Sequence, residues 1–209
     1  MSGRLRLLWA LGLASSLGLL LVAGSWFSRH YPKSTIPSDF PTRLRLLLDA
    51  CLAGKEDRVS KLLDADTSLL DAEDEDGWTC LINASKTGHT DIVQTLVRRG
   101  CRLSASSMHS ALRGAALYGH IDVVRLLLRS GHQVDALSEG RKTALMGAAM
   151  NGHLEVARLL LRAGADPRLR NDRNETAHDL ARFRGHTDVV ELIDIATNDI
   201  YAIWESKTR

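Results

Sequence analysis

Cysteine is scarce. Cys51, Cys80 and Cys101 are the only three, and no Cys-x-x-Cys spacing occurs. That excludes a disulfide-built scaffold and a thiolate metal site. The three read as small apolar core residues, with a Cys80–Cys101 bridge left open should the domain meet an oxidising compartment. An excess of either charge is also missing: 27 basic residues face 25 acidic ones, for a formal charge of +2. A nucleic-acid partner, which calls for a strongly basic face, is therefore not expected. Aromatics make up only 5% and prolines number four. No Gly-rich phosphate loop, HExxH or GxSxG is present, so no catalytic site, cofactor or small-molecule substrate is expected. Ser110 beside His109 has no orienting acid and is not read as a nucleophile.

What the chain does have begins at its N-terminus. After a basic flank (residues 1–6), Leu7 to Phe27 is a run of 21 residues without a charge. As a helix at about 1.5 Å per residue it would reach roughly 30 Å, the thickness of a hydrocarbon core. Trp9 and Trp26 lie near its ends, where indole rings favour the interface. A signal anchor is the expectation, with the N-terminus inside and the remaining domain extracytoplasmic, and periplasmic if the chain is bacterial. Arginine far outnumbers lysine, a bias common in GC-rich bacteria. Two other readings stay open. Ala23-Gly24-Ser25 offers a signal-peptide cleavage site, which would release the domain; a eukaryotic anchor would instead hold it in the cytosol. Residues 28–41 carry Pro32, Pro37 and Pro41 and read as a semi-rigid tether.

The rest of the chain repeats itself. TGHTDIVQTLVRRG, YGHIDVVRLLLRSG, NGHLEVARLLLRAG and RGHTDVVELI place Gly88, Gly119, Gly152 and Gly185 at spacings of 31, 33 and 33. A weaker copy begins at Gly54, 34 residues before Gly88. Ahead of each glycine stands an Ala-rich half-helix; behind it comes an apolar stripe at helical spacing, as in Val123, Val124, Leu127 and Leu128. Each unit therefore reads as helix, tight turn, helix, loop. One such pair cannot bury its own apolar side, so copies must stack.

This pattern resembles the ankyrin repeat, a unit of 33 residues. The second copy carries it best, through Asp74, Gly77, Thr79, Leu81, Ala84, Gly88, His89, Asp91, Ile92, Val93, Leu96 and Gly100. The resemblance implies an all-α solenoid of about five repeats with short hairpin loops; the apolar run read above would precede it as a transmembrane helix. Repeats are expected near 42–73, 74–105, 106–137, 138–170 and 171–193, with 194–209 as a capping segment in which Ile195, Ile200, Ile203 and Trp204 would form a short helix. Departures are visible. Cys80, Ala111, Ala144 and Ala177 replace the Pro of the family's Thr-Pro-Leu-His signature. Ile82, Arg113, Met146 and Asp179 replace its His. Arg141 stands where a loop glycine is expected, and the third copy lacks two loop residues.

Three patterns invite chemistry. The ladder His89, His120, His153 and His186 is read as bonding across each turn to a neighbour's backbone, since stacked helices lie about 8–10 Å apart and would not share a metal. The acidic run from Asp71 to Asp76 fails as a calcium loop because Ala72 occupies a ligand position. Arg98, Arg99, Arg102, Arg125, Arg129, Arg158 and Arg162 read as a solvated face, with a basic patch toward anionic lipid or an acidic partner as the alternative.

In the family, the loop tips and the exposed end of each first helix line a concave binding groove. The resemblance therefore points to the two positions before each Gly-His: Lys86 and Thr87, Leu117 and Tyr118, Met150 and Asn151, Phe183 and Arg184, with Trp78 and Lys142 on the loops. The column Lys86, Leu117, Met150, Phe183 is mostly apolar at a position expected to face solvent. An aromatic and apolar ridge is the composition of a protein-binding hot spot. The expected partner is a protein of unknown identity, with no metal and no nucleic acid.

Overall fold

The computed structural model describes residue 37, residues 39–102 and residues 110–208, with side chains described as far as Asn198. The apolar run at residues 7–27, most of the tether at 28–41, and the shortened loop of the third repeat at 103–109 lie outside the described residues. Among the described residues no helix is long and apolar enough to cross a membrane.

Residues from Asp39 onward form one compact unit. Its helices come in pairs: α1 (Phe40–Leu52) with α2 (Glu56–Ala65), α3 (Cys80–Thr87) with α4 (Thr90–Arg98), α5 (Ala111–Leu117) with α6 (Ile121–Arg129), α7 (Ala144–Met150) with α8 (Leu154–Arg162), and α9 (Ala177–Arg184) with α10 (Thr187–Thr208). Among the described residues there is no β-strand, only a single antiparallel bridge between Ser138 and Lys142. Residues 194–208 continue α10 without a break, rather than forming the separate short helix read from the sequence.

Local chemistry sets the start of each first helix. Asp39, Thr79, Ser110, Thr143 and Thr176 are N-caps, their side-chain oxygens accepting from backbone N–H groups three residues on. Thr176 and Asp179 make a full capping box. Two residues before three of these caps the chain turns left-handed, at Gly77 (φ 77°), Arg141 (φ 54°) and Asn174 (φ 62°). Arg141 thus takes the conformation that its glycine counterpart takes freely.

The first helices pack in series, α1 to α3 to α5 to α7 to α9, and the second helices form a parallel layer. Small side chains permit the first-helix spacing: Ala84, Ala115, Ala116, Ala148, Ala149 and Ala181 are fully buried. The second helices bury Val93, Leu96, Val123, Val124, Leu127, Val156, Leu160 and Val189. Leu128, expected in the buried stripe, is only half-buried; the stripe is narrower than the sequence pattern implies.

Consecutive pairs are locked by the histidine ladder. The Nε2 atoms of His89, His120 and His153 lie 3.1 Å from the carbonyl oxygens of Leu52, Lys86 and Leu117, each in the preceding repeat. The ring rests directly on that repeat's glycine. A Cβ added to Gly119, at φ 75°, would lie 2.7 Å from His153 Nδ1. The backbone must be left-handed there and the space is already taken.

Cysteine needs a correction. Cys51 of α1 and Cys80 of α3 form a disulfide, with Cα atoms 5.6 Å apart, while Cys101 is free and buried. The Cys80–Cys101 alternative is therefore overturned. Stacking of first helices brings Cys51 and Cys80 face to face, a juxtaposition that a separation of 29 residues does not announce. Closing a loop of that size stabilises the fold by about 3–4 kcal/mol in the chain-entropy account.

Gly131 offers an internal control for the glycine lock: it is also left-handed, at φ 90°, but an added Cβ there meets open space. Gly119→Ala is expected to lower the unfolding free energy by about 2–4 kcal/mol, through strain plus overlap. Gly131→Ala should cost about 1–2 kcal/mol, through strain alone. Urea unfolding of both variants measures the difference; equal costs would remove the ring contact from the account.

Candidate functional site

The loops before α3 and α7 and the last turns of α3 and α5 converge on one cavity of about 240 Å³. Asp74 shapes the first loop: its Oδ1 accepts from the backbone N–H groups of Asp76 (3.0 Å) and Trp78 (2.8 Å). Trp78 is thereby held over the cavity. Lys86, in the last turn of α3, places its Nζ 4.8 Å from the Trp78 ring centre and 5.9 Å from that of Tyr118. The ammonium thus sits between two π-faces, a stabilising arrangement. Tyr118 caps α5, is 48% exposed, and stacks near His120 with ring centres 6.4 Å apart. The opposite wall comes from Glu139 and Lys142 on the fourth repeat's loop.

Five residues expected from the sequence therefore meet in one place: Trp78, Lys86, Leu117, Tyr118 and Lys142. The others do not. Thr87 turns its hydroxyl back to the carbonyls of Asn83 (2.8 Å) and Ala84 (3.3 Å). Asn151 donates from Nδ2 to the Leu117 carbonyl at 2.6 Å, the same oxygen that His153 engages; it serves the stack. Met150 is half-buried and Arg184 exposed. Phe183 stands 85% exposed, far more than any other large apolar side chain described.

Sequence reading missed five residues of the cavity wall, Ile82, Ser110, Arg113, Gly114 and Glu139, of which Arg113 and Glu139 are charged. The signal for Arg113 was present: it precedes Leu117 by four positions, which puts both on one face of α5, and it replaces the signature His. Burial pushes the Arg113 guanidinium below its ordinary range, while the nearby Glu139 carboxylate and the Tyr118 hydroxyl act in the opposite direction. Glu139 offered no signal, because its approach depends on how the fourth loop folds over α5.

Elsewhere the titratable groups serve structure. Asp71 accepts from the Arg102 backbone N–H at 2.7 Å, and Asp135 accepts from that of Asp166 at 3.2 Å, tying adjacent loops together. Arg99 pairs with Asp64 at 2.8 Å and Arg158 with Glu155 at 3.7 Å. Burial, with a smaller contribution from Asp71, pushes the Cys101 thiol up to about 11. Among the described residues, no group of three or more His, Cys, Asp or Glu is arranged to hold a metal ion.

Paired helices stacked through a recurring turn define a repeat solenoid, and its loop tips and first-helix ends meet in the cavity described. Residues 47–138 and 112–201 match the family described as Ankyrin repeats (3 copies). The chain belongs to the ankyrin-repeat family. It is also similar, at 40% identity over 53 residues, to NAD-capped RNA hydrolase NUDT12 of Homo sapiens, Pongo abelii and Macaca fascicularis. That match covers 24% of this chain and 12% of each relative, so the hydrolase activity is a property of those proteins.

His132 makes a pH prediction. It is 6% exposed, neither ring nitrogen has a hydrogen-bond partner among the described residues, and burial holds its pKa below the ordinary value. Above about pH 6.5 the imidazole is neutral in both folded and unfolded chains, and stability is complete. Below that the unfolded chain takes up a proton that the folded chain resists, so stability falls until the lower, folded pKa is reached. His132→Ala, the residue that Ala165 supplies one repeat later, should flatten this drop between about pH 7 and 5. Urea unfolding across that range measures it, and unchanged slopes would count against the assignment.

Proposed function

We propose that this protein is a non-catalytic protein-binding module that captures one partner along its concave groove and supports or inhibits it, tethered to a membrane by residues 7–27 with its repeats on the extracytoplasmic side. The carrying observation is the half-buried pair Lys86 and Leu117 with the exposed Tyr118 beside them in one cavity wall, and the exposed Phe183 two repeats further along the stack. Tyr118 and Phe183 remain 48% and 85% exposed, although burying them against the fold would be favourable. Rigid aromatic side chains on a preorganised surface lose little freedom on binding, which is how few residues come to dominate an interface.

The side of the membrane rests on separate support. Disulfides persist in oxidising compartments and are rare in the cytosol, and the Cys51–Cys80 bridge favours an outside domain over a cytosolic adaptor. Ala23-Gly24-Ser25 keeps a second reading in play, a domain released after signal cleavage to act as an effector or immunity protein.

Tyr118→Ser combined with Phe183→Ser should change folding stability by no more than about 0.5 kcal/mol per site, yet abolish partner capture by in-cell photo-crosslinking at Leu117. Retained capture would remove the groove from the reading. A reporter fused after Arg209 and active only in an oxidising compartment should be active. An inactive fusion would place the domain on the other side.

A further inference from the structure

We propose that the cavity between the second and fourth loops receives a carboxylate side chain from an acidic segment of the protein partner, with Arg113 as its principal anchor. This rests on the groove being the binding surface. It adds what that surface selects.

The charge count points this way. Lys86, Arg113 and Lys142 face a single carboxylate, Glu139, within one cavity. Net charge of the whole chain is nearly balanced, so this local excess is a property of the site. Arg113 carries the argument furthest. Its guanidinium is desolvated enough to depress its pKa, and Glu139 acts on it only as a nearby charge. None of the ion pairs of the described residues includes it. A desolvated guanidinium that makes no direct ion pair has already lost water contacts that a planar, bidentate acid restores. Lys86 is held by two aromatic rings, and none of the ion pairs of the described residues includes it.

Size and the remaining acid narrow the ligand. A cavity of about 240 Å³ falls below the roughly 300–1,000 Å³ of small-molecule sites, and suits one side chain of a longer segment. Glu139 opposes a dianion more than a monoanion, which favours carboxylate over phosphate. Trp78 and Tyr118 offer flat walls for the stem of the entering side chain.

The test pans a displayed library of random short peptides against the full-length chain. Recovered peptides are expected to share an Asp or Glu whose amide replacement weakens binding at least about tenfold. Arg113→Gln should weaken the acidic peptide by a similar factor, and the amide peptide hardly at all. That coupling isolates the pair. Lys142→Gln, at an exposed loop position, should give a smaller loss that grows less evident as salt is raised; it reads out the site even if the Arg113 variant folds poorly. Peptides that need Tyr118 and Phe183 but no acid would overturn this proposal and leave the groove reading standing. So would displacement by inorganic phosphate well beyond that by acetate at equal ionic strength. A library that gives no groove-dependent binder would overturn both.

Discussion

An imidazole laid over a glycine is the contact on which the stack depends. His89, His120 and His153 do two things at once: each fills the space that a side chain would occupy, and each reaches the backbone carbonyl at the end of the preceding first helix; for His186 only the first is seen, over Gly152. Such a hydrogen bond is worth about 0.5–1.5 kcal/mol net, a modest amount. Its larger effect is geometric. It fixes the end of one helix against the start of the next pair, so every repeat repeats the same offset. The alanines of the first helices then approach closely, and the second helices bury their Val and Leu side chains against the first helices and one another.

A constant offset is what turns separate loop tips into one groove. Trp78 belongs to the second repeat, Tyr118 to the third and Lys142 to the fourth, yet all three line a single cavity. The fourth loop accepts a left-handed arginine at Arg141, where the second uses glycine. That backbone conformation costs a non-glycine residue of order 1–2 kcal/mol. It holds the turn that brings Glu139 and Lys142 over α5. Function in this fold thus lives in the positions the stack leaves free, while the positions it uses are committed: Asn151 looked available and is spent on the Leu117 carbonyl.

Much of this was legible in the chain itself. Gly-His at near-constant spacing marks the turns, Thr and Ser mark the helix starts, and apolar periodicity marks the second helices; all are local signals, and local signals survive without coordinates. Of the column read from repeat spacing, Lys86 and Leu117 reach one cavity, while Met150 is half-buried and Phe183 stands exposed elsewhere. What escaped was non-local. Cys51 and Cys80 meet because α1 and α3 stack, and neither residue matches a repeat consensus that would pair them. Glu139 joins the cavity through the path of one loop. Leu128 lies at the edge of its stripe, where a small rotation of α6 decides burial.

The ladder is open to direct observation in the imidazole nitrogen spectrum of the full-length chain. A carbonyl accepts only from a protonated nitrogen, so His89, His120 and His153 are each expected to carry their proton on Nε2, in slow exchange with water, with through-bond coupling to the carbonyls of Leu52, Lys86 and Leu117. Protons found on Nδ1, or on rings in free exchange with solvent, would contradict the lock and with it the rigid groove built upon it.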